Sequence, residues 1–271
     1  MVRIEPNPAR TTDALSVAID ADGIDPEGEP VSYRFEWSVS GELRSESAVV
    51  TPDRTAKGEE WTVRVIPTDG RGEGPAGTDE RAISNTVPVI ESVQIGPDPL
   101  TTESLAVPIV TAVDPDDDPL TFAHAWTVDG AAVGDADGEL DGLLHFDKHQ
   151  LVGLSVLVMD DESSGDWVDA DAVWVQNTPP TAPEIEIVPD APIGGVDDLW
   201  CRVREPGYDA DGDPMYYSVA WERDAYPYPE VEAGDTGMPW SGPLTDDWTG
   251  DLVPAADTEP SELWECAVTA W

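Results

Sequence analysis

The sequence predicts an all-β protein made of three tandem β-sandwich domains, the third lacking its last strand. Apolar and polar residues alternate with a two-residue period along many segments, as in "VSYRFEWSV" (31–39) and "LTFAHAWTV" (120–128). The 271 residues include 23 glycines and 26 prolines, which suit a chain rich in turns and disfavour helices. Similar segments return about every 90 residues, so three copies of one domain are expected.

Each predicted domain opens with an apolar-x-apolar pair followed by prolines. These openings start 91 and 92 residues apart and read "VRIEPNP" (2–8), "VQIGPDP" (93–99) and "IEIVPDAP" (185–192). A second strand, an acidic hexapeptide, a third strand and a late strand follow in each domain. Linkers are predicted at "NTVP" (85–88) and "NTPP" (177–180), because proline ends strand pairing. The predicted domains are therefore 1–90, 91–182 and 183–271.

The third domain is expected to stop before its final strand. Its late strand, "LWECAVTAW" (263–271), aligns Trp264 with Trp61, so that Trp271 corresponds to Thr68. The first domain continues beyond that point through "RAISNTVP" (81–88), for which the third has no counterpart. The N-terminus also lacks the apolar centre of a signal peptide. The chain is therefore expected to be either cytosolic or a piece of a larger exported protein, and the missing strand favours the piece.

The domain length and the short alternating strands are typical of immunoglobulin-like β-sandwiches. The acidic hexapeptides are "DPEGEP" (25–30), "DPDDDP" (114–119) and "DADGDP" (209–214). A tryptophan follows the first aspartate of each by 12 residues, giving Trp37, Trp126 and Trp221. This position lies on the third strand, where such sandwiches bury an aromatic ring. The three tryptophans are therefore predicted to be core residues.

The stretches "DADGDPMYYSVAWERD", "DPDDDPLTFAHAWTVDG" and "WTVRVIPTDGRGEG" resemble tandem PKD-type and cadherin-like repeats of large bacterial surface proteins. The resemblance covers all three domains. It implies an extracellular spacer or adhesive module, often within a long array, and calcium binding in some repeats. The first loop departs from the family because Glu27 and Glu29 replace aspartates, and the second because Asp117 replaces glycine. Calcium is therefore least expected at the first loop.

The two cysteines are predicted to form a disulfide. Both align with positions that are valine in the other two domains: Cys201 with Val17 and Val107, and Cys266 with Val63 and Val156. These positions lie on the second and penultimate strands, which a disulfide bridges across the core of immunoglobulin domains. The alternative is a pair of buried free thiols. A bridge implies an oxidising compartment, so an extracellular or cell-surface location is expected.

The acidic hexapeptides are candidate calcium sites. Calcium takes six to eight oxygen ligands, and carboxylates spaced two residues apart on a tight turn can converge on one ion. Between the first and second domains, the candidate ligands are Asp114, Asp116 and Asp118 with Asp160 or Asp161. Between the second and third domains, they are Asp209, Asp211 and Asp213. Calcium shared at a joint would stiffen it. The alternative is a solvated acidic turn, in which Asp, Gly and Pro are common. A weaker candidate is "DADGELD" (135–141).

The charge is extreme, with 57 acidic against 13 basic residues and a formal net charge of −44. This composition argues against nucleic acid as a partner, because contacts with phosphate need basic patches. Cations are the natural counterpart, and a strongly hydrated surface for solubility or high salt is the alternative reason for the charge. The expected partners are further repeats of a longer chain and a cell-surface protein or glycan.

A segment of the third domain between its acidic loop and its late strand carries four candidate ligand-binding aromatics: Tyr226, Tyr228, Trp240 and Trp248. Such rings could stack on sugars or anchor a protein, or they could pack on their own sheet. No catalytic motif is evident in the sequence, so a non-catalytic protein is predicted. The leading hypothesis is an extracellular spacer or adhesion module. The alternative is a carbohydrate-binding accessory region of a secreted hydrolase.

Overall fold

The computed structural model describes residues 1–133, 138–228 and 252–270. Its contacts group the chain into two compact units. The first comprises Met1–Ile95, Pro108–Ala125 and Leu154–Asp171, and the second comprises Gly96–Val107, Trp126–Gly153 and Ala172–Trp271. The first predicted domain thus lies in the first unit and the third in the second unit, while strands of the middle domain contribute to both. The domain boundaries at 90 and 182 stay predictions.

The first predicted domain folds as two sheets packed face to face. Its strands are β1 (Val2–Glu5), β2 (Ala9–Arg10), β3 (Leu15–Ile19), β4 (Ser32–Val39), β5 (Glu42–Ser45), β6 (Val49–Val50), β7 (Glu60–Thr68) and β8 (Gly77–Ser84). One sheet has the order β1-β3-β6 and the other β2-β8-β7-β4-β5. The chain therefore changes sheet at each step from β1 to β4, and again on entering and on leaving β6. This is the connectivity of an immunoglobulin-like sandwich.

The middle domain repeats this arrangement. Its strands are β9 (Val89–Gly96), β10 (Leu105–Val113), β11 (Thr121–Val128), β12 (Ala131–Val133), β13 (Leu140–Asp141), β14 (Leu151–Met159), β15 (Ser164–Asp169) and β16 (Val173–Trp174), with one short helix, α1 (Gly142–His145). The sheets have the orders β13-β10-β9 and β12-β11-β14-β15, and β16 also pairs with β14.

The described residues contain no helix long and apolar enough to span a bilayer.

The third domain lacks a final strand in the part of the chain that the structure describes. Its strands are β17 (Glu184–Val188), β18 (Leu199–Glu205), β19 (Tyr217–Arg223), β20 (Tyr226–Pro227), β21 (Leu252–Val253) and β22 (Trp264–Ala270). The sheets have the orders β17-β18-β21 and β20-β19-β22. In the first domain, by contrast, the equivalent strand β7 has β4 on one side and β8 on the other. The predicted fold class is confirmed.

The cores contain the predicted tryptophans. Trp37, Trp126 and Trp221 are at most 2 % exposed. In the first domain the Trp37 indole meets the edge of Trp61, with ring centroids 6.4 Å apart, and donates a hydrogen bond from Nε1 to the Ser47 carbonyl oxygen at 2.9 Å. The polar end of the buried ring is thereby satisfied, as buried indoles generally are.

The Cys201–Cys266 disulfide is present, as predicted from the alignment with valines. The two Cα atoms are 6.2 Å apart and the bridge joins β18 to β22. Cys201 is only 1 % exposed and belongs to the core cluster that also contains Trp221. In the first domain Val63 is fully buried and Val17 packs against the same core. The cysteines therefore occupy a space that valines fill in the first domain.

Candidate cation sites at the acidic loops

The first aspartate of each acidic hexapeptide holds a tight turn together. Asp114 Oδ1 accepts hydrogen bonds from the backbone N–H groups of Asp116 at 2.7 Å and Asp118 at 3.2 Å. Asp209 Oδ1 does the same for Asp211 at 2.9 Å and Asp213 at 3.0 Å. Short acidic side chains favour such turns because they reach their own backbone two residues on. In the second and third loops, the turns bring the alternating carboxylates close to one another.

The fourth residue of each loop needs a left-handed backbone. Its φ is +83° at Gly28, +61° at Asp117 and +71° at Gly212. Glycine adopts this conformation freely, and aspartate tolerates it better than most residues. The replacement of glycine by Asp117 therefore leaves the turn of the second loop intact.

The carboxylates of the second and third loops converge. One oxygen from each of Asp114, Asp116 and Asp118 lies within 4.8 Å of the other two, and the same holds for Asp209, Asp211 and Asp213. Oxygens at this separation can share one calcium ion, whose ligands stand at about 2.3–2.6 Å. Among the described residues no donor contacts the buried Asp114 Oδ2, and Asp209 is only 7 % exposed. The donor set is therefore chemically suited to a hard cation.

Two oxygens of Asp116 are held by residues of the first domain and its linker. The Thr11 hydroxyl donates to Oδ1, and the Thr86 backbone N–H donates to Oδ2 at 2.7 Å. All three residues belong to the first compact unit. The acidic loop of the middle domain is thus a contact surface for the end of the first domain, which we call the first joint.

Lys57 contributes a positive charge to the first joint. Its ammonium group donates to Asp118 Oδ2, to Glu162 Oε1 at 2.8 Å and to Asn85 Oδ1 at 3.2 Å. Hydrogen bonds to Asp118 and Glu162 raise the pKa of Lys57 above its ordinary value. The side chain therefore stays charged throughout the physiological range.

Asp160 belongs to the first joint but faces the linker. Its Oδ2 accepts from Asn85 Nδ2 at 2.9 Å and from the Ser163 hydroxyl at 2.8 Å. Burial works against ionisation, but the hydrogen bonds from Asn85, Glu162 and Ser163 outweigh it and lower the pKa of Asp160 to about 2. At the first joint, the converging carboxylates found among the described residues are Asp114, Asp116 and Asp118. A ligand role for Asp160 or Asp161 stays a prediction.

The same contacts recur in the second unit, and we call them the second joint. The Thr102 hydroxyl donates to Asp211 Oδ1, and the Thr178 backbone N–H donates to Asp211 Oδ2 at 2.6 Å. Lys148 forms an ion pair with Asp213 and lies 3.4 Å from Asn177 Oδ1. The bond to Asp213, with the negative charges of Asp211 and Asp209 nearby, raises the pKa of Lys148. The two joints are therefore built from equivalent residues.

Sequence reasoning missed the threonines and lysines of the joints, although a signal was present. Thr11 and Thr102 are 91 residues apart, as are Lys57 and Lys148, which matches the spacing of the first two domain openings. The chain contains only these two lysines. Attention to what repeats besides the acidic loop would have identified both.

The aromatic candidates of the third domain divide between surface and core. Tyr226 is 75 % exposed. Tyr228 is 8 % exposed, meets Trp264 with ring centroids 5.0 Å apart, and donates its hydroxyl to Asp257 Oδ2 at 2.8 Å. Its ring is therefore used for packing. Trp240 and Trp248 lie outside the described residues, as does part of the candidate loop at 135–141, so those hypotheses stay predictions.

Comparisons with known proteins give likenesses of fold only. No family model and no curated protein matches the chain. Several solved structures are similar to it, among them the following three. A chicken CNTN1 fragment of domains FN1–FN3 is 14 % identical with a TM-score of 0.31, and the match covers 100 % of this chain and 92 % of that one. A two-domain fibronectin type-III segment of chicken tenascin is 12 % identical with a TM-score of 0.34. The match covers 65 % of this chain and 98 % of that one.

The third similar structure is described as a Ca²⁺-stabilized adhesin that helps an Antarctic bacterium bind ice. It is 14 % identical with a TM-score of 0.27, and the match covers 95 % of this chain and 67 % of that one. All three TM-scores are below 0.5. The assignment of an immunoglobulin-like fold therefore depends on the strand orders and the disulfide described above.

Proposed function

We propose that this chain is a non-catalytic spacer or adhesion module of a bacterial cell-surface or secreted protein, with joints that bind calcium. The observation that carries the proposal is the use of the acidic loops. Asp116 and Asp211 each accept a threonine hydroxyl and a linker N–H from the domain before. A loop used in this way fixes the orientation of one domain on the next. Fixed orientation is what a spacer or a stalk requires.

The disulfide supports an exported protein. Cys201 and Cys266 are bonded, and such bonds persist in oxidising compartments. The charge of −44 supports an environment in which cations are abundant. PKD-type or cadherin-like membership remains part of the proposal, since the strand order supports the immunoglobulin-like architecture in general.

Calcium is supported by the converging carboxylates. Three oxygens within 4.8 Å of one another leave room for further ligands from water or the linker, and the buried Asp114 Oδ2 is directed to no donor among the described residues. A calcium ion would add to the positive charge that Lys57 brings to the first joint, and it would tie the loop more firmly to the joint. Extracellular modules of this kind bind calcium with dissociation constants of about 10⁻⁴–10⁻³ M.

Calorimetric titration of the chelator-treated chain with calcium tests this proposal. Asp114→Asn is the informative variant, because asparagine keeps the Oδ1 that accepts the two turn hydrogen bonds but removes the charge and the free oxygen. We expect at least about tenfold weaker binding at the first joint. Asp117→Asn is the matched control, since it removes one charge from the same loop at an exposed residue. Absence of any heat at millimolar calcium would end the calcium proposal.

A second candidate function is carbohydrate binding by the third domain. The observation in its favour is the exposure of Tyr226, whereas the burial of Tyr228 removes that ring from a contact surface. Binding to a glycan array that is lost in Trp240→Ala or Trp248→Ala would favour an accessory region of a secreted hydrolase. Retained binding in both variants would exclude this segment as the contact surface.

A further inference from the structure

We propose that Lys57 and Lys148 are the resident cations of the two joints, and that each ammonium group attaches one domain to the acidic loop of the next without a metal ion. The inference goes beyond calcium binding, because it assigns a metal-free interaction surface. One side of the surface is a lysine, a threonine and an Asn-Thr linker. The other side is an acidic loop with three alternating aspartates.

The distribution of lysine in the chain points to this role. Of the 13 basic residues, 11 are arginine and only two are lysine. The middle domain, residues 91–182, has 19 acidic residues and a single basic one, which is Lys148. Both lysines form ion pairs with the last aspartate of an acidic loop, Asp118 and Asp213 respectively. The rarest cation of the chain thus occurs where two domains meet, and at the same place in each joint.

The geometry explains why the residue is lysine. Lys57 Nζ has three N–H donors and three oxygen acceptors around it, from Asp118, Glu162 and Asn85. A compact ammonium group can direct its donors to three separate residues, whereas a guanidinium group is planar and suits a two-oxygen fork. The Lys57 and Asp118 side chains are 25 % and 18 % exposed, so solvent screens the pair only partly.

The second joint supplies an independent copy of the arrangement. Lys148 contacts Asp213 and lies within 3.4 Å of Asn177 Oδ1, and its side chain is 20 % exposed. The negative charges of Asp211 and Asp209 also act on it. Because the acidic loop carries three carboxylates, a joint without its lysine would hold uncompensated negative charge against the linker.

Two equivalent positions elsewhere in the described chain carry other residues. In the first domain Glu29 of the acidic loop is paired with Arg71 of the same domain at 2.5 Å. In the third domain the alignment of Trp264 with Trp61 puts Pro260 at the position of Lys57. Among the described residues, lysine at this position thus occurs in the first and middle domains, where it contacts the acidic loop of the next domain.

Hydrogen exchange of the linker amides tests the proposal directly. The Thr86 and Thr178 N–H groups donate to Asp116 and Asp211 across the joints, so their exchange by NMR reports whether each joint is closed. The full chain is measured in chelator, with Lys57→Met and Lys148→Met as variants. We expect Lys57→Met to speed exchange at Thr86 about tenfold and to leave Thr178 unchanged, and Lys148→Met to do the reverse.

Each lysine variant is the control for the other joint. Arg64→Met is a further control, because Arg64 pairs with Glu36 at 2.7 Å on the sheet surface, and its loss should leave both linker amides unchanged. Lys57→Arg should restore only part of the protection at Thr86, since its planar group cannot reach three separate acceptors. Exchange at Thr86 that stays within twofold of the unsubstituted chain in Lys57→Met would overturn the proposal.

A second measurement needs no variant. In the unsubstituted chain without calcium, both lysines should react with an amine-acylating reagent at least about tenfold more slowly than in urea, because a paired ammonium group is a poor nucleophile. Equal reactivity in the folded and unfolded chain would also overturn the proposal. Both measurements are made in chelator, so their results do not depend on whether the chain binds calcium. A negative result in either would overturn the role of the lysines and would leave the result of the calcium titration unchanged.

Discussion

Replacement of the disulfide by two valines measures what the bridge contributes to the third domain. Valine is the residue found at both equivalent positions of the first domain, where Val63 is fully buried and Val17 packs against the same core. The Cys201→Val, Cys266→Val variant therefore removes the cross-link while it keeps an apolar side chain of similar size at each position. The change in stability should then come mainly from the cross-link itself.

The magnitude follows from the length of chain that the bridge closes. Cys201 and Cys266 are separated by 65 residues. Closing a loop of that length lowers the entropy of the unfolded chain and stabilises the folded domain by about 4 kcal/mol. The extra methyl groups of valine in the core recover about 1 kcal/mol at most. We expect the free energy of unfolding of the third domain to fall by about 3–4 kcal/mol.

The assay must distinguish the third domain from its neighbours. Val268 pairs with Val219 in the ladder between β22 and β19, so hydrogen exchange of these amides reports on the third domain. Exchange of Val63 and Val65 in β7 serves as the control and should not change. Reduction of the unsubstituted chain should have the same effect as the double variant. A loss below about 1 kcal/mol at Val268, or an equal loss at Val63, would refute the reasoning.

Three further predictions follow from single contacts. Tyr228→Phe should lower the stability of the third domain by about 1 kcal/mol, measured by urea unfolding, because it leaves Asp257 without the phenolic donor. The pKa of Asp160 is about 2, below its ordinary value of 3.8. Its contribution to the first joint should therefore be complete above about pH 4 and lost as pH falls through 2. Proteolysis of the linker should depend on pH over this range more weakly in Asp160→Asn than in the parent chain, because the other carboxylates of the joint remain. Gly207→Ala should destabilise by about 1–3 kcal/mol in thermal unfolding, because a Cβ there would lie 2.1 Å from a backbone carbonyl oxygen.

The periodic features of the fold could be read from local sequence. Alternation with a period of two predicts strands such as β4 and β11, each of which begins one residue after the alternating segment and ends with it. The repeat predicts three copies of one sandwich, and the alignment with Val17 and Val63 predicts the disulfide. Each of these inferences uses residues close in sequence, or positions related by the repeat. Buried apolar residues satisfy such rules because one face of every strand must point into a core.

The partners of the carboxylates could not be read in the same way. Thr11 and Asp116 are 105 residues apart, and Lys57 and Asp118 are 61 apart. Polar pairs of this kind obey no period, since they arise only when two folded segments are brought together. The sequence indicates the acidic loops as candidate sites with water or metal ions as partners, whereas the structure shows contacts with hydroxyl and ammonium groups.

The aromatic segment illustrates the same division at short range. Tyr226 and Tyr228 are two residues apart and equally aromatic, yet the first is 75 % exposed and the second 8 %. What separates them is Trp264, which arrives from a distant strand and covers Tyr228.

The amino-acid sequence by itself determined the sandwich architecture, the repeat, the core tryptophans and the pair of cysteines that can bond, because the periodic burial of apolar residues is a local property of the chain. Only the tertiary structure decided which atoms neutralise the acidic loops and which tyrosine remains in water. Those outcomes depend on distances between segments that meet after folding, and electrostatic and hydrogen-bond energies change steeply with such distances.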